Sequence, residues 1–319
     1  MPTIQSHLDS IRINEGIERC KAAFGDICET DIAKAPALVN DPSLTYPSLF
    51  ILLPQIESFR LYRFLSPVRR TAVSITAQVL GSAGGGVLRE RNRFEYAALK
   101  WMLETGHIED GLSDDYEQVL DITVSVLINL YKDKSVLPTV ADMIFRRGLD
   151  GRNIHDLVWA YFRIADPEAL KLVAQHLPST DPAESELACN ILGIEADSRG
   201  AGEQKEAFLH WLSDNDPFLY FTDESYQQTS NPAFYRVDQE RKYVQKGTPA
   251  YTKQPVVAMN ENESRHLAAF KQLGDDEKQL LSEYSHQIHG DRSKWQAWMA
   301  QSVDEQIQAA AMSRRDVWL

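Results

Sequence analysis

The stretches DPEALKLVAQHL (166–177) and DPAESELACNIL (181–192) decide the fold class of this chain. Each begins with an Asp-Pro pair. The Asp side chain can accept a hydrogen bond from an unpaired backbone amide at the start of the helix. The proline stands in the first turn, where the backbone N–H that it lacks would have no partner within the helix. Leu172 of the first stretch matches Leu187 of the second. The pattern predicts two short helices joined by a tight turn.

Similar start and stop signals extend this pattern in both directions. Pro67, Pro138 and Pro217 each stand where a helix would begin, and Gly106 and Gly148 stand where one would end. Short helices separated by tight turns lie antiparallel to their neighbours and bury a shared core. The sequence therefore predicts an all-α fold of stacked antiparallel helix pairs, similar to an α-solenoid.

The stretch from Val87 to Trp211 resembles the HEAT/armadillo class of helical repeats in its helix lengths and in the placement of its Asp-Pro pairs. The resemblance covers about two fifths of the chain. It implies a stack of helices whose outer surface holds another protein. It does not imply an active site.

Composition divides the chain into four predicted regions. Residues 1–86 form an N-terminal helical region, and residues 87–221 form the helical-repeat region. In residues 222–260, three prolines and five aromatic residues replace the helical pattern. This composition predicts a long extended segment, here called the strap, that lies over the helical body. Helix-start signals return in residues 261–319, which we expect to form a C-terminal helical unit.

Charge and cysteine content narrow the function classes. The chain has 319 residues, of which 43% are hydrophobic and 25% charged, and its formal net charge is -13. Such a charge repels phosphate backbones, so we expect no nucleic-acid partner, which also disfavours a HEAT-like DNA-binding enzyme. Three unpaired cysteines and the lack of a signal segment predict a cytoplasmic location. No apolar stretch reaches the ~18 residues of a membrane span.

Two Glu-x-x-His pairs are the candidates for a divalent-metal site. Glu263 with His266, and Glu283 with His286, each place a carboxylate and an imidazole one helical turn apart, a spacing that di-iron helical proteins use. The apolar stripe of the second helix, however, directs Glu283 and His286 away from its buried side. Solvent-exposed polar residues are therefore the alternative interpretation of both pairs.

The candidate partner-binding residues are cations beside a glycine-rich stretch, aromatic residues of the strap, and tryptophans near the C-terminus. They are Arg69, Arg70, Arg89, Arg91, Tyr235, Tyr243, Trp295, Trp298 and Trp318. The arginines have the alternative of pairing with acidic surface residues. The tryptophans have the alternative of packing onto their own helical unit.

Motifs of established catalytic sites do not occur in the sequence. The glycine-rich stretch GSAGGG (81–86) lacks the Lys-Ser/Thr ending of a phosphate-binding loop, and neither Gly-x-Ser-x-Gly nor His-Glu-x-x-His is present. The sequence thus favours a non-catalytic scaffold or adaptor that binds another protein. The alternative is a metal- or small-ligand-dependent enzyme with a site near the strap and the C-terminal helices.

Overall fold

The computed structural model describes residues 5–81, 92–195, 201–246 and 260–316. The protein is mostly helical, with 71% of its residues in helix and 2% in strand, as counted over the described residues. This content confirms the all-α prediction. The chain divides into two compact units, Met1–Ile164 and Ala165–Leu319. Within the described ranges, no helix is long and apolar enough to cross a membrane.

The described part of the first unit contains ten α-helices and three 3₁₀ turns. The helices are α1 (His7–Glu15), α2 (Ile17–Thr30), α3 (Ala35–Val39), α4 (Tyr46–Ile51), α5 (Leu53–Ser58), α6 (Pro67–Gly81), α7 (Arg93–Gly106), α8 (Asp114–Asn129), α9 (Leu137–Leu149) and α10 (His155–Phe162). The 3₁₀ turns are Leu61–Phe64, His107–Glu109 and Lys134–Val136.

The core of the first unit forms around α7 and α8. Helices α6, α7 and α8 contact one another, and α8 also contacts α10. Tyr46 stacks on Tyr116 with ring centroids 5.4 Å apart, and the Tyr116 hydroxyl donates to the Gly106 carbonyl at 3.0 Å. A Cβ atom on Gly106 would lie 2.6 Å from that hydroxyl. Only glycine therefore permits this close approach of α7 and α8.

A buried ion cluster joins α8 and α9 to the turn that follows α7. Arg147 is 1% exposed, and it donates to the two carboxylate oxygens of Asp110 at 2.7 and 2.8 Å. It also donates to Asp121 on α8 at 3.1 Å. Burial raises the pKa of Asp121 to about 6, because lost hydration outweighs the attraction of the Arg147 guanidinium. The arginine thus holds three segments of the unit together.

The described part of the second unit contains eight α-helices, one 3₁₀ turn (Asp216–Phe218) and a two-stranded antiparallel sheet. The elements are α11 (Pro167–Ala174), α12 (Pro182–Leu192), α13 (Ala201–Asn215), β1 (Leu219–Phe221), β2 (Tyr235–Val237), α14 (Gln239–Tyr243), α15 (Glu261–Phe270), α16 (Asp275–Ile288), α17 (Arg292–Met299) and α18 (Val303–Asp316).

The Asp-Pro stretches form helices as the sequence predicts. Asp166 accepts the amide of Glu168 at 2.8 Å, and Asp181 accepts the amide of Ala183 at 2.9 Å. Each aspartate therefore caps its helix from the position before the proline. The resulting helices α11 and α12 contact each other, and α11 also contacts α13.

The predicted strap contains regular structure in its described part, residues 222–246. It includes β2 and the short helix α14, which contacts α16. Tyr243 on α14 is fully buried and stacks on Phe270 with ring centroids 4.4 Å apart. This tyrosine therefore belongs to the core of the second unit. Residues 247–259 of the strap lie outside the described residues.

Candidate binding sites in the second unit

An apolar groove of about 460 Å³ lies between the end of α12, the middle of α13 and β2. Its walls are formed by Ile191 and Leu192 on α12, by Ala207, Phe208 and Trp211 on α13, and by residues 232–237.

One end of the groove is fixed by the way in which α12 terminates. Gly193 has a φ of 64°, in the left-handed region, and the amide of Ile194 donates to the Cys189 carbonyl at 3.0 Å. This helix ending turns Ile194 into the groove wall. The Tyr235 hydroxyl donates to the Leu192 carbonyl at 2.5 Å. That bond connects β2 to the end of α12.

Aromatic side chains form the wall between α13 and β2. Phe208 is buried and stacks on Trp211 with ring centroids 5.7 Å apart, while Trp211 lies edge-on to Tyr235 at 6.0 Å. Trp211 and Tyr235 are only half-buried, so part of each ring faces the groove. Burial raises the pKa of Tyr235, and its hydroxyl remains protonated and able to donate.

The backbone of β2 presents one of its edges to the groove. On the side of β1, the amide of Thr222 donates to the Phe234 carbonyl at 2.9 Å. Hydrogen-bonded pairs alternate along an antiparallel ladder, so Phe234 and Arg236 direct their backbone groups toward β1. The N–H and C=O groups of Tyr235 and Val237 therefore point to the opposite edge.

β2 borders the groove along its whole length, and the rim there is slightly acidic. All three residues of β2, together with residues 232–234 before it, line the groove. Arg236 is paired with Glu224 at 2.6 Å, and Glu195 is the other charged residue in the lining. Because Glu224 already neutralises Arg236, the exposed carboxylate of Glu195 is the negative charge that the described lining presents.

A second pocket, of about 840 Å³, is more polar and lies beside α16. Its lining includes Asp214 at the end of α13 and Glu283 and His286 on α16. The Nδ1 atom of His286 is buried and has no hydrogen-bond partner among the described residues. Burial, followed by the charge of nearby Lys242, lowers the pKa of His286, so its ring is neutral near pH 7. A neutral imidazole donates a hydrogen bond from one ring nitrogen and accepts one at the other.

A line of hydrogen bonds leads from the polar pocket to the groove. Lys242 has no exposed surface, and its ammonium group donates to Glu283 at 2.6 Å and to the Asn215 side chain at 2.7 Å. Asn215 in turn donates to the Trp211 carbonyl at 2.8 Å. Charged and amide groups on three elements are thereby satisfied inside the unit.

The two candidate metal-binding pairs have lysine partners. Glu263 accepts a hydrogen bond from Lys246 and also caps its own helix, while Glu283 is paired with Lys242. Burial and a neighbouring arginine lower the pKa of His266. Within the part of the chain that the structure describes, no three His, Cys, Asp or Glu side chains form a group that could hold a metal. A metal role for these pairs stays a prediction.

The arginine cluster is integrated into the first unit as far as it is described. Arg69 is 6% exposed, lies 3.5 Å over the Trp101 ring and donates to backbone carbonyls. Burial lowers the pKa of Arg69 to about 10. Arg70 is exposed and also donates to two carbonyls. Arg89 and Arg91 lie outside the described residues.

The predicted aromatic residues separate into core and groove. Trp298 is 4% exposed and packs edge-on to Tyr243 at 5.9 Å, and Trp295 donates from its indole nitrogen to Ser285 at 2.8 Å. Trp318 lies outside the described residues. Tyr235 lines the groove.

The groove residues Phe208 and Trp211 are not among the residues that the sequence predicts for a site. Their spacing of three residues on one helix is typical of core packing and gave no signal of a site. A signal was available in the glycine at position 193, which follows an apolar helix end and marks the turn into the groove wall.

No protein-family model matches the chain, and searches of curated proteins and of solved structures also found no match. The apolar groove and the polar pocket, both in the second unit, are therefore the features from which a function is inferred.

Proposed function

We propose that the protein is a non-catalytic helical scaffold that binds another protein in the apolar groove of its second unit. The observation that carries this proposal is a groove of about 460 Å³ with two half-buried aromatic rings in its wall, those of Trp211 and Tyr235. Tyrosine and tryptophan combine a large apolar body with a polar tip, and they are enriched where proteins bind each other.

The packing of neighbouring helices supports the scaffold part of the proposal. Contacts join α6 to α7 and α8 in the first unit, and α11 to α12 and α13 in the second. Each helix thus packs mainly on elements close to it in sequence, as in stacked helix pairs of the HEAT/armadillo class. Such stacks provide a stiff surface on which a binding groove keeps its shape.

Peptide selection tests the proposed binding site. A phage-displayed library of random dodecapeptides is selected on the full chain, and the affinity of the enriched peptides is measured by fluorescence anisotropy. Ala207→Arg places a long charged side chain in the groove, whereas His210→Arg places the same side chain on the exposed face of the same helix. We expect Ala207→Arg to weaken binding at least tenfold, about 1.4 kcal/mol, and His210→Arg to leave it unchanged. Equal affinity of the two variants contradicts the proposal.

A metal- or small-ligand-dependent enzyme is the second candidate, and the grouping of Asp214, Glu283 and His286 in the lining of the 840 Å³ pocket favours it. The test is a thermal-shift screen of metabolite-sized compounds and divalent cations, with His286→Ala and the control His7→Ala, an exposed histidine of the first unit. A compound that stabilises the wild type and the control, but not His286→Ala, supports a pocket ligand. Stabilisation of all three proteins alike rejects it.

A further inference from the structure

We infer that the partner enters the groove as an extended peptide, which adds a third strand to the sheet along the outer edge of β2. The inference rests on the proposed function and specifies its chemistry. The peptide carries apolar side chains at alternate positions and a cationic residue beside them.

The outer edge of β2 can form hydrogen bonds with an added strand. The N–H and C=O groups of Tyr235 and Val237 point away from β1 toward the groove, which offers two donors and two acceptors to a bound chain. Backbone groups at an apolar edge need partners, and an added strand supplies them at the regular spacing of a ladder. A partner helix would satisfy its own backbone groups and leave these four without partners.

The dimensions of the groove favour a single extended chain. β2 has three residues, so its edge is about 10 Å long and matches three to four residues of an added strand. Ala207 and Trp211 on α13 form the wall opposite to this edge. A volume of about 460 Å³ between these walls accommodates a few residues of one chain. The sheet of a second copy of the protein would require a wider opening.

Side-chain chemistry completes the description of the occupant. In an added strand, every second side chain points to the same face, and apolar side chains on that face would contact Phe208 and Trp211. At the rim, Arg236 is already paired with Glu224, and Glu195 adds a further negative charge. A lysine or arginine next to the apolar residues of the peptide complements this rim.

The experiment uses the tightest dodecapeptide from the selection described above and tests its backbone directly. The peptide is synthesised unmodified and in two N-methylated forms, each with methyl groups on alternate amides. N-methylation removes a donor and blocks pairing on one edge of a strand. We expect one methylated form to bind at least tenfold more weakly and the other, methylated on the opposite edge, to bind as the unmodified peptide does.

A variant of the protein tests the backbone hydrogen bonds between β2 and the peptide. Val237→Pro removes an N–H that points to the groove and leaves the pairing with β1 in place, whereas the control Val237→Thr retains this N–H. We expect Val237→Pro to weaken peptide binding at least tenfold and Val237→Thr to change it less than twofold. Hydrogen exchange of the Val237 amide, measured by NMR in the wild type, should slow when the peptide is bound. This measurement and the methylated peptides do not depend on the folding of the proline variant.

The outcomes separate the inference from the proposed function. If both methylated peptides bind as tightly as the unmodified one while Ala207→Arg still blocks binding, strand addition is wrong and the groove remains the binding site. If Ala207→Arg and His210→Arg behave alike, the proposed function fails and the inference fails with it. If sedimentation shows a wild-type dimer that Ala207→Arg makes monomeric, the occupant is a second copy, which also overturns the inference.

Discussion

Replacement of Arg147 by methionine tests whether the buried ion cluster holds the first unit together. Methionine is similar in length, so the change removes the charge and leaves only a small cavity. The side chain of Asp110 is 1% exposed. After the substitution, Arg152, 3.8 Å away, is the cation of the cluster that remains beside it. Asp121 also loses its partner, but its side chain is 22% exposed and can regain water.

The expected decrease in the free energy of unfolding follows from the buried carboxylate of Asp110, which loses Arg147 as its partner. Removal of one partner of a buried ion pair costs about 3–5 kcal/mol, because the other charge remains buried without compensation. A whole domain is stable by about 5–15 kcal/mol. The change should therefore remove a large part of the stability of the first unit. Asp110→Leu combined with Arg147→Met removes both charges and should cost less than Arg147→Met alone.

Urea unfolding followed by circular dichroism measures these differences, and hydrogen-exchange mass spectrometry of peptides from α8 and α9 assigns the transition to the first unit. The control is Arg146→Met at the neighbouring position, which is half-buried and donates to the His107 carbonyl at 2.8 Å. We expect this control to cost about 1 kcal/mol. The reasoning is refuted if Arg147→Met costs less than about 1 kcal/mol, or if the double variant is no more stable than the single one.

Further predictions concern packing and pH. Gly106→Ala should destabilise the first unit by about 1–3 kcal/mol, because the new Cβ would lie 2.6 Å from the Tyr116 hydroxyl. Gly25→Ala, at an open helical position, should instead stabilise this unit by about 0.5–1 kcal/mol. Thermal unfolding compares the two variants, and equal effects would contradict the packing argument. The pKa of Asp121 is about 6 in the folded chain and about 3.9 in the unfolded chain. Between these pH values the folded chain therefore binds one proton more than the unfolded chain. As pH rises through this window, Asp121 should lower the free energy of unfolding by up to about 3 kcal/mol. Asp121→Asn should lack this decline in urea titrations at pH 4 and pH 7, and a decline equal to that of the wild type would assign the proton elsewhere. Trp298→Ala should lower the free energy of unfolding of the second unit by about 3–5 kcal/mol. Peptide binding by the protein that remains folded should not change. Weaker binding by this folded fraction would show that Trp298 contributes to the binding surface.

The helical class of the fold could be predicted because its signals are local. Asp166 and Asp181 each cap a helix through an amide two residues further along, so the sequence contains both partners of the interaction. The approach of α7 and α8 is different. Gly106 ends its helix as the sequence predicts, but the reason that it must be glycine is the hydroxyl of Tyr116, which a second helix supplies.

The candidate site could be predicted only in part, because burial of its residues depends on contacts between distant segments. Tyr243 and Trp298 were reasonable candidates for a binding surface, yet they pack against each other in one core although 55 positions separate them. Tyr235, an aromatic residue of the strap that the sequence predicts to bind a partner, lines the groove. Its partner across the groove, Trp211, gave no signal, because a tryptophan on an apolar helix face is usually a core residue.

Lys242 connects the end of α13 to α16. Its ammonium group donates to Asn215 at the end of α13 and to Glu283 on α16, and the residue has no exposed surface. Because the ammonium group has no contact with solvent, removal of either oxygen partner would leave a buried charge poorly compensated. Since α13 borders the groove and α16 borders the polar pocket, one buried cation links the walls of the two cavities.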